Sequence, residues 1–419
     1  MSIENKSPKH HHPMWEKPKH HEFAHEKTHQ VHWIELFYDL VHVVAIFLLG
    51  SFLTDNLNLL GFGIFTLLFI AIWVSWGDYV FYNSLYVSRD YKHRLISAFH
   101  ITTVMLMAAS IPSITSGGFS FFLGAYGVNR IITSLLYFRA RKFNTFSKTL
   151  ASEMFSRFFI IGTLILISAF LPSPMSFLIV TLGIIAIQLV YILPKYGVMR
   201  FENFTPRMHP LSERFALLLL ISLGEGFFKM VLELVNKGIY NISLDIFINY
   251  ILGGVLLFLI AWMYFDFVGN MPVKNHEKKT IMKWWYSHMA LMFFAILIGI
   301  ALKGEVKVYF TDPYPLGLAL LGCFGFIGFL LTLEVIQENV LKNVSRKFAT
   351  FKVKLFGIFF VILTLITVYY SMPSILSNIL FTIGVGSQLL IPISKAYLHF
   401  KKDIEKMHEE QKLIELKEE

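Results

Sequence analysis

Asp39, Asp78, Glu225 and Asp266 each sit inside a run of hydrophobic residues, and His100 and His288 stand in runs of the same kind. Carboxylates and imidazoles are the side chains that exchange protons or hold cations in such surroundings. A charge at mid-membrane costs about 2.5–3.5 kcal/mol, so each needs a reason to be there. The run "VHWIELFYDLVHVVAIFLLG" (31–50) places Glu35, Asp39 and His42 four and three residues apart, on one face of a helix. The opposite face, Leu36, Phe37, Leu40 and Val44, is apolar. Asp39 is too short to reach back to water. It is expected to face a bundle interior or a water-filled cavity, opposite an Arg or His from another span.

Composition shows what must position these groups. Of 419 residues, 55% are hydrophobic and 16% charged, with 42 Phe; soluble domains average about 25% charged. A soluble fold could not hide that much apolar surface, so the expectation is an all-α integral membrane protein. About 20 apolar residues cross the hydrocarbon. By that rule the chain divides into twelve spans, at 33–53, 57–83, 95–112, 119–138, 151–171, 175–193, 213–235, 246–268, 283–302, 315–335, 354–371 and 373–393. Breaks fall at Pro, Gly and charge clusters such as "LPSPMS" and "MPVKNHEKK".

Basic residues set the orientation. Loops after even-numbered spans are rich in them, as in Arg89, Lys92 and Arg94, or Lys347, Lys352 and Lys354; loops after odd-numbered spans carry only Lys237, Lys303 and Lys307. The positive-inside rule then puts both termini in the cytoplasm, and the net charge of +9 needs no nucleic acid to explain it. The lipid bilayer is the expected partner, in a bacterial cytoplasmic (inner) membrane, with a homo-oligomer compatible with the sequence. The single cysteine, Cys323, excludes an internal disulfide and a Cys-based zinc site. No cleaved signal peptide is expected.

Residues 1–30 read as a cytosolic His-rich basic tail and 399–419 as a cytosolic charged tail that forms a short helix. His21, His25 and His29 would share a helical face able to bind a transition metal. A basic segment lying on anionic lipid is the preferred reading, so no metal and no cofactor is expected.

Within the spans, Glu153 and Arg157 stand four apart and are expected to pair, as are Glu225 and Lys229. Glu225 is bracketed by glycines in "SLGEGFF", which would admit another backbone or a ligand. Asp78 and Asp266 follow Trp and aromatic residues near the ends of even-numbered spans. The offset from Asp78 to Asp266 equals that from His100 to His288, and Asp39 to Glu225 falls within two residues of it. This suggests two parallel six-helix repeats, 31–205 and 206–398. Asp39, Asp78, His100, Glu225, Asp266 and His288 would then converge between the halves, with Arg130 as countercharge and Glu35 at the entrance.

The same residues carry a family resemblance. "WIELFYDLVHVVAI" resembles the E-L-F-F-D-L-V-F-V signature of the bacterial low-temperature-requirement A (LtrA) family. "WVSWGDYVFYNSLYVSRDYKHRL", "ERFALLLLISLGEGF", "AWMYFDF" and "YSHMALMF" are similar to its later motifs, in order, across about residues 30–300. The resemblance marks Glu35, Asp39, Arg89, Asp90, Glu213, Arg214, Gly224, Glu225, Asp266 and His288. Glu213 and Arg214 join Glu153, Arg157 and Lys229 as expected structural pairing residues. Two departures are Gly226, where the family usually has Ser, and His42, where it usually has an apolar aromatic. The resemblance implies a fold family and no substrate.

Three functions fit these residues. The first is a proton- or cation-coupled secondary transporter of an unknown small solute through the intramembrane Asp, Glu and His. The second is a structural or stress-adaptation membrane protein whose charges lock helices together. The third is an intramembrane enzyme acting on lipid, with Asp39 and His288 as acid and base. No G-x-x-x-x-G-K-[ST], H-E-x-x-H or G-x-S-x-G occurs, and the chain is expected not to be an enzyme.

Overall fold

The fold follows from a computed structural model that describes residues 17–23, 31–88, 90–193, 197–238, 240, 242–269, 271–275, 277–340 and 347–418. Among them lie twelve α-helices: α1 (Trp33–Asp55), α2 (Leu59–Leu85), α3 (Tyr91–Ser110), α4 (Gly118–Phe143), α5 (Lys148–Ser168), α6 (Ser173–Ile192), α7 (Met208–Lys237), α8 (Leu244–Tyr264), α9 (Lys278–Glu305), α10 (Leu316–Asn339), α11 (Phe351–Tyr369) and α12 (Ser374–Glu418). Eleven are long and apolar enough to cross a membrane, and α6 is a shorter apolar helix. With the family described below, this makes the chain a multi-pass membrane protein. Each helix covers one expected span. The largest departure is α12, which continues through the charged tail as one helix of 45 residues.

Local chemistry places the ends. The Asn58 side chain accepts from the Gly61 N–H at 2.8 Å and so caps α2. Gly117 adopts φ +108° ahead of α4, a left-handed conformation that suits glycine. The end of α8 widens into a π-turn over Phe265–Gly269, which contains Asp266; such turns are frequent at functional sites.

The chain forms two compact units, Met1–Leu218 and Leu219–Glu419, with the division inside α7. In the first unit α4 packs along α5, and α3 packs on α4 and α1. Gly162 makes that closeness possible, because a Cβ there would meet Arg130 Cβ at 2.8 Å. In the second unit α9 packs along α10 and α11 along α12. Gly226 faces the Gly299 backbone, 3.1 Å from where its own Cβ would lie. Of the two glycines around Glu225, this one admits a neighbouring helix; Gly224 faces open space.

Part of the expected N-terminal tail is docked. Lys19–His20 (β1) pairs antiparallel with Tyr86–Val87 (β2). The His20 N–H donates to Asn144 Oδ1 at 2.7 Å, and Asn144 Nδ2 donates to the Pro18 carbonyl at 3.0 Å. His20 Nε2 donates to the Asn203 carbonyl at 3.1 Å and His21 Nε2 to that of Thr205 at 2.5 Å. These bonds replace water for the strap's backbone and rings.

Burial holds both imidazoles below their ordinary value of 6.5. The undocked segment therefore binds more protons than the docked one in mildly acid solution, and docking weakens as pH falls below that value. A spin label on Lys19→Cys, an exposed position of the strap, is expected to be immobilised at neutral pH and mobile in acid. With His20→Ala it should be mobile at both, and a label that stays immobilised in acid contradicts the assignment.

Candidate functional site

On α1 the polar face points in and the apolar face out. Asp39 and His42 are buried, whereas Leu36, Phe37, Leu40 and Val44 are exposed. A helix in lipid has this inverted pattern, since hydrocarbon accepts Leu and Phe and rejects charge.

Asp39 meets its expected arginine. Arg214, at the start of α7, donates from Nε to Asp39 Oδ2 at 3.0 Å and from Nη2 to Oδ1 at 2.6 Å, while Nη1 reaches Glu35 Oε2 at 3.0 Å. Trp76 Nε1 on α2 adds a fourth bond, to Asp39 Oδ1 at 2.7 Å. A bidentate guanidinium–carboxylate contact is the strongest hydrogen-bonded pair available to a protein. Both Asp39 and Arg214 are almost wholly buried, while the Glu35 side chain keeps 17% of its surface exposed. Glu35 is thus the outward end of the cluster.

A second charge pair lies beside it. Arg130 on α4 is ion-paired with Asp78 on α2, and the Tyr191 hydroxyl of α6 donates to Asp78 Oδ1 at 2.7 Å. Arg130 Nη2 also donates to Asn129 Oδ1 at 2.6 Å. The register of α1 and α2 sets the two groups side by side. Tyr38, next to Asp39, donates to the Ser75 carbonyl at 3.1 Å; Ser75, next to Trp76, donates through its hydroxyl to Asn129 Oδ1 at 2.9 Å.

His100 belongs to the same network. The Thr133 hydroxyl donates to the Asn129 carbonyl at 3.0 Å, so towards His100 Nε2, 2.9 Å away, it can only accept. His100 therefore carries its proton on Nε2, and its Nδ1 accepts from Asn129 Nδ2 at 3.3 Å. His42 donates from Nδ1 to the Tyr38 carbonyl at 3.0 Å. Its Nε2 lone pair is buried without a hydrogen-bond partner among the described residues, as are Arg130 Nε and the Tyr126 hydroxyl.

In the second unit, Glu225 pairs with Lys229 one turn along α7. Asp266 Oδ2 accepts from Trp262 Nε1 at 2.6 Å. His288 donates from Nδ1 to the Trp284 carbonyl at 2.8 Å, which leaves Nε2 to accept from the Tyr264 hydroxyl at 3.1 Å. Of the expected site residues, Glu35, Asp39, Asp78, His100 and Arg130 thus cluster in the first unit. Glu225, Asp266 and His288 have the partners just named.

The expected pairing of Glu153 with Arg157 is present at 3.0 Å, and Arg200 shares the same carboxylate. Glu213 lies 3.6 Å from His209 at the surface. Arg214, assigned from sequence to structural pairing, pairs with Asp39 and Glu35 in the buried cluster. Lys354, counted among loop charges, is buried and paired with Glu334 and Gln337. Ser75, Asn129 and Tyr191 escaped the sequence reading because neutral polar side chains in apolar runs carry no charge signal, although "VNRII" does set Asn129 beside Arg130. Glu305 was missed because the span seemed to end at residue 302, whereas α9 runs to 305.

At the N-terminus, ligand atoms of His20, His21 and Glu22 lie within 4.8 Å of one another. His25 and His29, the other members of the possible metal-binding face, lie outside the described residues, as does Arg89.

Removing Arg214 leaves two carboxylates facing each other without a cation. Arg214→Met is expected to lower the unfolding free energy by about 3–5 kcal/mol. Arg157→Met, which breaks a partly exposed pair, should cost about 1 kcal/mol or less. Equal losses in denaturant unfolding of the detergent-purified variants would contradict the distinction.

No curated protein and no solved structure gives a significant match. A family model described as "Bacterial low temperature requirement A protein (LtrA)" matches residues 30–387, which include every residue of the buried cluster. The chain belongs to the bacterial low temperature requirement A family.

Proposed function

We propose that the chain is a secondary transporter, a permease that couples movement of a small solute to a proton or another cation. The observation that carries this reading is the buried network of carboxylates and guanidiniums in the first unit. Three carboxylates, Glu35, Asp39 and Asp78, face two guanidiniums, Arg214 and Arg130. A carboxylate whose pair opens in surroundings that penalise charge takes up a proton or another cation. Glu35, the partly exposed member, is where that cation arrives. A proton there removes one of Arg214's two anionic partners and loosens the tie that α1 has to the start of α7. The unpartnered His42 Nε2 offers a lone pair to a proton beside the same residues. Breaking and remaking such a pair is the kind of two-state element on which coupling depends.

The wider frame of this proposal is a bacterial cytoplasmic membrane with both termini inside, which the basic loops support. Two parallel six-helix repeats, 31–205 and 206–398, are supported by the matched offsets of Asp78 with Asp266 and of His100 with His288. No enzymatic activity is proposed, since Asp39 and Asp78 hold arginines rather than a nucleophile or leaving group. A second reading, a structural role in which the charges only lock helices together, is favoured by the bidentate Arg214–Asp39 contact.

Proton flux into proteoliposomes, read with a trapped pH dye under imposed pH and potential gradients, separates these readings. Wild-type protein is expected to conduct, Glu35→Gln and Asp39→Asn to lose most of the flux, and the partly exposed control Glu153→Gln to keep it. Flux that survives in Asp39→Asn overturns the assigned pathway. No flux from folded wild-type protein under either gradient overturns proton coupling and favours the structural role.

A further inference from the structure

The cavity at the C-terminal end of α9, wholly within the second unit, holds a costly unexplained group. Glu305 lines it, and the residue is 7% exposed. Its Oε2 is buried and has no hydrogen-bond partner among the described residues. An ionised carboxylate left so would cost several kcal/mol. Buried polar atoms of this kind call for a ligand or a function.

The surrounding polar groups are turned the wrong way to satisfy it. The Tyr314 hydroxyl donates to the Ala301 carbonyl at 2.6 Å, that of Thr364 to Phe360 at 3.0 Å, and that of Ser377 to Ser374 at 2.8 Å. Cys323 Sγ points its weak donor at the Val361 carbonyl, 3.7 Å away. Asn378 Nδ2 spends one hydrogen on Asn249 Oδ1 at 2.9 Å. Asn249 in turn holds the Glu305 and Val308 carbonyls at 3.1 and 3.0 Å, which fixes the end of α9. With their hydrogens committed to the backbone, the Tyr314, Thr364 and Ser377 oxygens keep only lone pairs. Apart from the second hydrogen of Asn378 Nδ2, the polar atoms lining the cavity are therefore acceptors around one carboxylate.

We propose that this cavity binds one small monovalent cation of sodium's chemistry, with Glu305 as its charged ligand and the neighbouring hydroxyl oxygens as neutral ones. Hard cations take oxygen ligands. The single carboxylate selects for charge: no other charged side chain is among the lining residues, so one positive charge neutralises the site and two would overshoot. Titratable neighbours are Tyr314, before α10, and Cys323, on α10; α8, α11 and α12 contribute the neutral Asn249, Thr364, Ser377 and Asn378. Lys307, two residues on, is turned to Glu233 at 3.2 Å. About 20 Å³ of space is open to a water-sized body, enough for one ion or one water and too little for an organic solute. The site is separate from the first-unit cluster, and sodium binding is expected whether or not the protein moves a solute.

The test is thermal unfolding of the full-length protein in lipid nanodiscs, followed by intrinsic tryptophan fluorescence. Sodium chloride is exchanged for choline chloride at constant ionic strength, in neutral and in alkaline buffer. A ligand that binds only the folded state raises the melting temperature saturably. Wild-type protein is expected to show that saturable rise. Glu305→Gln should lose it while melting in choline no lower than wild type, because the amide removes the buried charge. Thr364→Val, which keeps the carboxylate and deletes one neutral ligand, should shift the half-saturating sodium concentration several-fold upward and keeps the test alive if Glu305→Gln fails to fold. Absence of a sodium response at both pH values, or a response that Glu305→Gln retains, overturns the proposal. Loss of proton flux in Asp39→Asn with sodium binding intact would leave it standing.

Discussion

Arg214 held between Asp39 and Glu35 is the interaction on which the first unit depends. Hydrocarbon offers no water to a charge, so an acid carried into the bundle by α1 must find its cation inside the protein. The contact ties α1 to the start of α7, and Trp76 on the same carboxylate brings in α2. Arg130 repeats the arrangement with Asp78, between α4 and α2. Close helix packing is the condition for both: Gly162 on α5 leaves room for the stem of Arg130, and a methyl group there would push the guanidinium off its partners.

The two units treat buried polarity differently. In the first, ion pairs, amides and hydroxyls are joined side by side, so that moving one proton alters the balance of several groups. In the second, Glu225 with Lys229 and Lys354 with Glu334 neutralise themselves in pairs. Glu305 is the exception there. Its surroundings supply mostly oxygen lone pairs, with one uncommitted hydrogen on Asn378 Nδ2, which is the chemistry of a cation site rather than of a structural bond.

Much of this is legible in the residues. The twelve helices follow from hydrophobic runs and their Pro, Gly and charge breaks. The inward face of α1 follows from the spacing of Glu35, Asp39 and His42, and Asp39's need of an arginine follows from cost alone. Which arginine is another matter. Arg214 stands at a helix start, where a basic residue reads as a loop charge, and only its contact with Asp39 and Glu35 of α1 carries it inward. Lys354 was misread for the same reason. Glu305 lies in "ALKGEVKV", where two lysines make the stretch look solvent-facing, yet α9 runs three residues past the C-terminal end that hydropathy assigns it. Charge near a span boundary is ambiguous in sequence because a shift of one helical turn decides between water and core. Hydrogen bonds from Ser75, Asn129 and Tyr191 depend on register between helices, which no single helix encodes.

The central claim is that the Asp39 and Asp78 clusters act as one network. A double-mutant cycle tests it: unfolding free energies of Asp39→Asn, Asp78→Asn and the double variant, in one detergent at one pH. Independent sites add within about 0.5 kcal/mol, whereas members of one network deviate by about 0.5–3 kcal/mol. The account predicts a deviation in the larger range. Simple additivity would mean two separate ion pairs that happen to be neighbours, and would contradict it.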